Sequence, residues 1–350
     1  LGRDGSSWDG TAHFAEEIGP GLCDYNRYDM RIAEAACSWL RHEAPKHTEK
    51  PWVLCASFVS PHYPLIVPQA YFDRYPLEDI EAPRLNAPDD RSPHPVLDAM
   101  RRYLNYDDFF DDVGRRIAKA SYFGLCSFLD DHVGALLDAL HDSGQYEDTL
   151  VIYTSDHGEL AGNHGLWTKC VMYEESVGIP LIVSGRDIPS GKVVSTQASL
   201  VDIHPTIMDA TGEGLTAEDM HLPGKSLLDL VCEEELDRQV LSEYHDGGSI
   251  TGMFMIRRKH LKYICYPGYP PQLFDLEEDP HESTDLAQNS DYRHEVEDCH
   301  RALSGLVDPI CVNRQAFTEQ AAKVEELGGR DGIESLENFD QSPVPDFSEL

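Results

Sequence analysis

The sequence predicts an α/β protein: a mostly parallel central sheet sandwiched by helices, followed by a small antiparallel α+β subdomain. Three observations carry this. Residues 52–59 and 150–154 are continuous apolar runs that each stop at polar residues, the pattern of strands buried on both faces. Between them, Ile117, Ala120, Phe123, Leu125, Phe128, Leu129, Val133, Leu136, Leu137 and Leu140 recur at helical spacing, so strand, helix and strand form a crossover that sets the strands parallel. Beyond Gln239 the pattern changes to short strand-like runs separated by turn residues. The expected organisation is a catalytic α/β domain over residues 1–235, the antiparallel subdomain over 236–314 and an acidic tail over 315–350.

The elements follow in order. Residues 1–21 are glycine-rich and polar and read as an exposed lead-in. From Asp24 to about Ala44, Met30, Ile32, Ala33, Ala36, Trp39 and Leu40 mark a helix packed by one face. The strand from Trp52 to Val59 ends at Ser60, Pro61 and His62. Residues 67–112 hold many prolines and acids with little periodicity, and read as a surface excursion lining the substrate entrance, where specificity would reside. The helix over 113–143 tolerates Gly124 and Gly134 and stops at Gly144. Strands Leu150–Thr154 and Ile179–Ser184 frame a glycine-containing loop, and Asp202–Thr211 reads as a short helix with Pro205 near its start. Val240–Tyr244, Thr251–Arg257, Leu261–Tyr266 and Gln272–Leu276 are the short strands of the appendage, and Asp279-Pro280 is a turn. From about Gln315 the chain is acidic and poor in apolar residues except near Glu319–Leu327, as a surface-laid or disordered tail would be.

The 350 residues suffice for a sizeable core. Acidic residues number 63 against 28 basic ones, a net charge of −35, which excludes a protein that holds nucleic acid by its phosphate backbone. An anionic substrate would need a local positive pocket in such a field. No apolar run reaches the roughly 18 residues of a membrane span. Nine cysteines without a C-x-x-C pair read as buried thiols rather than a disulfide framework. With neither a start methionine nor a signal peptide before Leu1, the expectation is a reducing, cytoplasmic compartment.

The chemistry begins where the apolar strand at 150–154 ends. Asp156 and His157 follow it, then Gly158, at the strand edge where open α/β sheets gather ligand-binding groups. One hard oxygen and one imidazole nitrogen suit a divalent metal. On the dipeptide alone, a capping aspartate and an ordinary half-buried imidazole is the better reading. The neighbourhood changes this, because His164, Trp167 and Lys169 follow within one loop containing three glycines. A lysine beside a metal neutralises an anionic ester, as in phosphoryl transfer. His62 alone would be a turn histidine between two prolines. His245, in S-E-Y-H-D-G-G-S, reads equally as a turn residue or as a substrate-binding group presented by the first strand of the appendage.

The run S-D-H-G-E-x-x-G-x-H-G-x-W-x-K, followed by Y-E-E-S-x-x-I-P-L-I-V, resembles the metal and oxyanion segment of the sulfatases, in the alkaline-phosphatase superfamily. Its Asp-His pair, where many sulfatases carry Asp-Asn, is similar to the branch of bacterial sulfatases and phosphonate monoester hydrolases. S-F-V-S-P-H-Y-P is similar to the family's S-P-H-x-P segment, and Q-L-F-D-L-E-E-D-P-H-E-S-T-D-L-A resembles its C-terminal subdomain. The resemblance covers about Tyr25 to Ala287. It implies an alkaline-phosphatase-like fold and hydrolysis of a small sulfate ester or related anionic ester. Asp156 and His157 would ligate one divalent ion, calcium first and manganese or zinc as alternatives. Lys169 would hold the oxyanion, and His62 would protonate the leaving group. A phosphonate monoester or phosphodiester hydrolase is the second reading, and a noncatalytic binding module that keeps the fold is the third.

The family's C-x-P-x-R or S-x-P-x-R segment, whose first residue becomes the formylglycine nucleophile, has no match in these residues. Cys265 in C-Y-P-G-Y has the proline but no arginine. The aspartates that the family places before that segment are missing as well. The expectation is that the chain is N-terminally truncated and inactive by itself, since nucleophile, metal and oxyanion groups act as one unit.

Overall fold

In the computed structural model, which describes residues 11–232 and 237–334, the first described element already belongs to the core. Helix α1 (Thr11–Glu16) buries Phe14, whose ring stacks on Tyr63 at 4.3 Å. The exposed lead-in expected through residue 21 is thus corrected from Thr11 onward, because an aromatic ring gains too much from burial to be left in water. Residues 1–10 lie outside the described residues. Strand β1 (Ile18–Pro20) pairs in parallel with β2 (Leu65–Val67), and α2 (Asp24–His42) connects them as the helical spacing required. The buried stripe of α2 is Asn26, Asp29, Ala33, Ala36, Cys37 and Leu40, whereas Met30 faces solvent. Two polar residues sit in that stripe because each bonds backbone: Asn26 Nδ2 donates to Ile66 O at 3.2 Å, and Asp29 accepts from the segment before His62.

Residues 52–59 run without a ladder partner among the described residues, so the strand expected there is corrected. Trp52 and Leu54 pack on a cluster of Cys37, Leu40, Ala139 and Leu140, while Val53 between them is 59% exposed. One face is packed and the other is open, a pattern that composition does not distinguish from burial on both faces. The excursion expected over 67–112 is also corrected. After the short α3 (Gln69–Phe72), α4 (Pro95–Leu104) drives Val96, Leu97, Met100 and Leu104 into the main core. Pro95 opens that helix at a position where a missing N–H costs nothing, and His94 Nδ1 accepts from Val96 N–H.

Helix α5 (Asp112–Asp142) matches its prediction within a residue, starts at Asp111, whose carboxylate accepts Gly114 N–H, and packs against α2, β1 and β2. It leads to β3 (Val151–Thr154), which pairs with β4 (Leu181–Ser184) in antiparallel register from Val151–Ser184 to Thr154–Leu181. The parallel crossover from residues 52–59 to β3 is therefore not formed as a ladder; the parallel pair in this region is β1–β2. Short helices α6 (Glu174–Val177), α7 (Ile203–Thr211) and α8 (Leu227–Cys232) complete the first region.

The C-terminal sheet appears as read from the sequence: β5 (Gln239–Tyr244), β6 (Met253–Arg258), β7 (Leu261–Cys265) and β8 (Gln272–Asp275), all antiparallel in that order. Helix α9 (Arg293–Leu306) covers β6 and β7 through Cys299 and Leu303. Helices α10 (Pro309–Glu326) and α11 (Gly329–Glu334) follow, so the boundary expected at 314 falls inside a helix. Residues 335–350 of that expected tail lie outside the described residues. The small parallel pair, the helices and the antiparallel C-terminal sheet together make the α/β, alkaline-phosphatase-like class that was predicted.

Two buried ionic clasps tie the sheet to the first region. Arg238 forks onto the fully buried carboxylate of Asp202 at 2.7 and 2.6 Å. Lys262 on β7 is fully buried and reaches Met172 O at 2.9 Å, Glu174 Oε1 at 2.7 Å and Glu282 Oε1 at 2.8 Å. All nine cysteines are free, but the expected burial holds only for Cys37 and Cys299; Cys55, Cys232 and Cys311 are exposed. No described helix is long and apolar enough to cross a membrane.

Candidate active site

His62 stands just past the open segment 52–59, and its position is set from α2. The Asp29 carboxylate, 0% exposed, accepts the N–H groups of Val59 and Ser60, each at 2.8 Å, and so anchors the chain two residues before the imidazole. His62 N–H donates to Val59 O at 2.9 Å, closing the turn. Its Nδ1 lies 2.8 Å from Tyr63 O, an acceptor only, so Nδ1 carries the proton and Nε2 the lone pair. That lone pair receives Lys169 Nζ at 2.6 Å. Desolvation first, and the positive charge of Lys169 second, hold the His62 pKa below the ordinary 6.5 although the residue keeps contact with solvent.

Lys169 comes from a loop built around a buried carboxylate. Glu159 Oε1 accepts Ala161 N–H at 2.9 Å and Thr168 N–H at 2.6 Å, and its burial raises its pKa. Leu160 N–H donates to Thr168 O, and Trp167 is fully buried, stacked on Phe110 at 4.6 Å. Thr168 and Cys170, on either side of the lysine, both adopt left-handed backbone, with φ of 65° and 83°. For a β-branched residue this is a strained state held by its surroundings, of the kind that gathers at functional sites.

Asp156 and His157 follow β3. His157 N–H donates to Asp156 Oδ1 at 3.0 Å, and His157 Nδ1 donates to Gly158 O at 2.8 Å. The second bond fixes the tautomer and leaves Nε2 as a ligand atom, 3.7 Å from Asp156 Oδ2. Gly158 permits the turn: a Cβ there would come 2.1 Å from Glu175 O. The His62 and His157 rings lie 5.7 Å apart, so the four residues chosen from sequence share one place although His62 is far away along the chain.

A carboxylate that is largely exposed and an imidazole with an oriented lone pair fit half of a divalent-metal shell. Among the described residues no three His, Cys, Asp or Glu side chains gather into a metal-holding group, so these two are donors without a completed set. His245 Nε2 meets Glu243 Oε2 at 3.1 Å, and its ring lies edge-on to Phe254 at 5.0 Å. Its neighbours Tyr244 and Asp246 are the ones that act on Cys170, beside Lys169. His164 is a core residue, stacked on Tyr173 at 3.8 Å with its pKa pushed down to about 4 by burial.

Sequence reasoning missed Asp29, Glu159 and Lys262. Asp29 could have been found, because it falls on the stripe of Ala33, Ala36 and Leu40, where an unpaired carboxylate is not tolerated. Glu159 and Lys262 give no such signal, since their burial depends on residues distant in sequence.

The fold and this cluster define a member of the alkaline-phosphatase superfamily. Residues 8–213 match the sulfatase family, and residues 162–308 match the family described as N-sulphoglucosamine sulphohydrolase, C-terminal. The chain belongs to the sulfatase family. It is 35% identical to the choline-sulfatase of Rhizobium meliloti over 255 residues, 71% of this chain and 49% of the relative. It is also 35% identical to human arylsulfatase K over 283 residues, 74% of this chain and 52% of that protein. Among solved structures, the phosphonate monoester hydrolase of Silicibacter pomeroyi superposes with a TM-score of 0.67 at 25% identity, covering 78% of this chain and 58% of the other. The phosphonate monoester hydrolase of Agrobacterium radiobacter gives 0.64, also at 25% identity, covering 79% and 60%. The chain thus spans about half the length of the curated relatives it matches.

Proposed function

We propose that these residues serve a divalent-metal-dependent sulfuric ester hydrolase, with Lys169 on the ester oxyanion, His62 at the leaving oxygen, and Asp156 and His157 on the metal. The single observation that carries this is the 2.6 Å contact between Lys169 Nζ and His62 Nε2, set beside His157. An ammonium next to an imidazole whose lone pair is oriented makes a pair that an anionic ester enters naturally. Its negative charge takes the place of the imidazole as the partner of Lys169. His62 then loses a positive neighbour and gains a negative one, so its pKa rises and it can take the proton that the leaving oxygen needs. Lys169 meanwhile offsets charge on the non-bridging oxygens, a local positive group in a chain of net charge −35. The bound metal would add Lewis-acid polarisation at the same ester. Calcium is the first choice because Asp156 is a hard oxygen donor, with manganese or zinc favoured to the extent that the imidazole dominates.

The test is turnover of an aryl sulfate and an aryl phosphonate monoester by the whole protein, after chelation and readdition of each ion, with metal content read by elemental analysis. Faster sulfate hydrolysis restored by one divalent ion is expected. A preference for the phosphonate would move the reading to the monoester hydrolases, which the two superposed structures favour. Turnover of neither ester, or full turnover of the aryl sulfate by Asp156→Ala, would overturn it.

A further inference from the structure

Both partners of the 2.6 Å contact between Lys169 Nζ and His62 Nε2 lie on irregular chain, with neither a ladder nor a helix to hold them in place. Each is steadied in the same way, by a carboxylate that collects two backbone N–H groups. On the His62 side it is Asp29 of α2, which gives one oxygen to each donor: Oδ1 accepts Val59 N–H and Oδ2 accepts Ser60 N–H, both at 2.8 Å. Two points of attachment fix the direction of the chain as well as its place. The order passes to the ring through His62 N–H, which donates to Val59 O at 2.9 Å, and through Nδ1, which donates to Tyr63 O at 2.8 Å.

On the Lys169 side the carboxylate is Glu159, and a single oxygen serves both donors. Its Oε1 accepts Ala161 N–H at 2.9 Å and Thr168 N–H at 2.6 Å, joining the two arms of the loop where Leu160 N–H also donates to Thr168 O at 2.8 Å. Thr168 needs such a restraint, because a β-branched residue at φ 65° leaves that state when nothing holds it. Lys169 comes next, so rotation at Thr168 would swing the ammonium away from His62. Satisfying stray N–H groups needs no charge, since a hydroxyl or an amide does so too. A carboxylate adds short, charge-assisted bonds, and their precision matters at a catalytic pair, where a misplacement of about 1 Å is worth roughly a hundredfold in rate.

We propose that Asp29 and Glu159 are positioning residues, which set the Lys169–His62 contact from its two sides without touching the ester. The use made of that contact rests on the sulfuric ester reading above, whereas the alignment itself does not. The oxygens in use make the test specific. Asp29→Asn keeps one acceptor and sets an NH2 group against the second backbone N–H, Glu159→Gln keeps the single oxygen that both donors share, and Glu159→Met removes it. The whole protein, isotopically labelled at its histidine nitrogens, would be compared by NMR above the titration range of His62. His62→Gln assigns the signal, and Lys169→Ala marks where Nε2 resonates once the ammonium is gone. Asp29→Asn and Glu159→Met should each move the His62 Nε2 signal at least half of the way to that mark, and Glu159→Gln should leave it in place. Melting curves establish that each variant folds, and the contrast between the two isosteric amides can be read even where Glu159→Met does not fold. An unmoved signal in Asp29→Asn or in folded Glu159→Met, or equal displacement in Asp29→Asn and Glu159→Gln, would overturn the proposal.

Turnover adds a second contrast. On aryl sulfates of graded leaving-group acidity, Asp29→Asn should slow the poor leaving groups on the order of tenfold more than the good ones, because they depend most on the His62 proton. Glu159→Met should slow all of them alike, because every ester presents the same sulfate oxygens to Lys169. A uniform loss in Asp29→Asn would overturn its action through His62. If no ester is hydrolysed but the His62 signal moves as stated, the function falls and the positioning stands; hydrolysis with an unmoved signal does the reverse.

Discussion

At the scale of single residues, the His62–Lys169 contact makes the protonation of the imidazole a property of its neighbour. The ammonium disfavours imidazolium, so removing it in Lys169→Ala should raise the His62 pKa toward 6.5 without reaching it, because desolvation is the larger cause and remains. Titration of the histidine ring resonances checks the sign. In the whole protein the same substitution should retain the metal while hydrolysis of an aryl sulfate falls about a hundredfold, roughly 3 kcal/mol of transition-state stabilisation. Unchanged hydrolysis would remove the lysine from the mechanism. Much of this site was legible as local sequence: Asp156, His157 and Lys169 lie within fifteen positions of one strand end, and only His62 had to be brought from afar. Asp29 was half legible: its place on the buried stripe of α2 shows that it needs a partner, while that partner, two backbone N–H groups some thirty residues away, shows only in the fold.

At the scale of elements, the turn from β3 into the Asp156–His157 pair depends on a residue without a side chain. In Gly158→Ala the new carbon would stand 2.1 Å from Glu175 O, and Gly158 N–H, which donates to Ser176 O at 2.8 Å, would be pushed off its partner. The expected cost is about 2 kcal/mol or more of unfolding free energy, with weaker metal retention, measured by urea titration and elemental analysis. A neutral result would mean that the turn yields more easily than its contacts suggest. Elements with strong periodicity were readable to within a residue or two, as α5 and the four C-terminal strands show. Helix α4 was hidden by the prolines around it, although Pro95 is a helix-starting residue. The missing ladder at 52–59 was hidden for another reason: apolar composition predicts an extended chain, but pairing is decided by which neighbour lies alongside.

At the scale of the whole molecule, the two regions are joined by charges taken out of water. In Lys262→Met the carboxylates of Glu174 and Glu282 would lose their buried counterion, an expected loss of about 3–5 kcal/mol. Adding Glu282→Gln should recover part of that loss, because burial already pushes Glu282 up to about 7 and a neutral amide suits its place. Denaturant unfolding of both variants decides it, and an additive double variant would show that the pair does not act as a unit. Acid acts through His164. Its folded pKa of about 4 lies below the unfolded 6.5, so the unfolded chain takes up the proton first, and stability should fall as pH drops from 6.5 toward 4. His164→Phe, which keeps a ring against Tyr173, should flatten that fall in unfolding midpoints.

The clasp made by Lys262 also carries a statement about time. It grips residues 172 and 174, close behind Lys169, from a strand almost a hundred positions further along the chain. Until β7 has found its place between β6 and β8, residues 172 and 174 lack their buried partner, however complete the helices before them are. A ribosome must therefore have released most of the C-terminal sheet before the nascent chain can close this clasp behind Lys169.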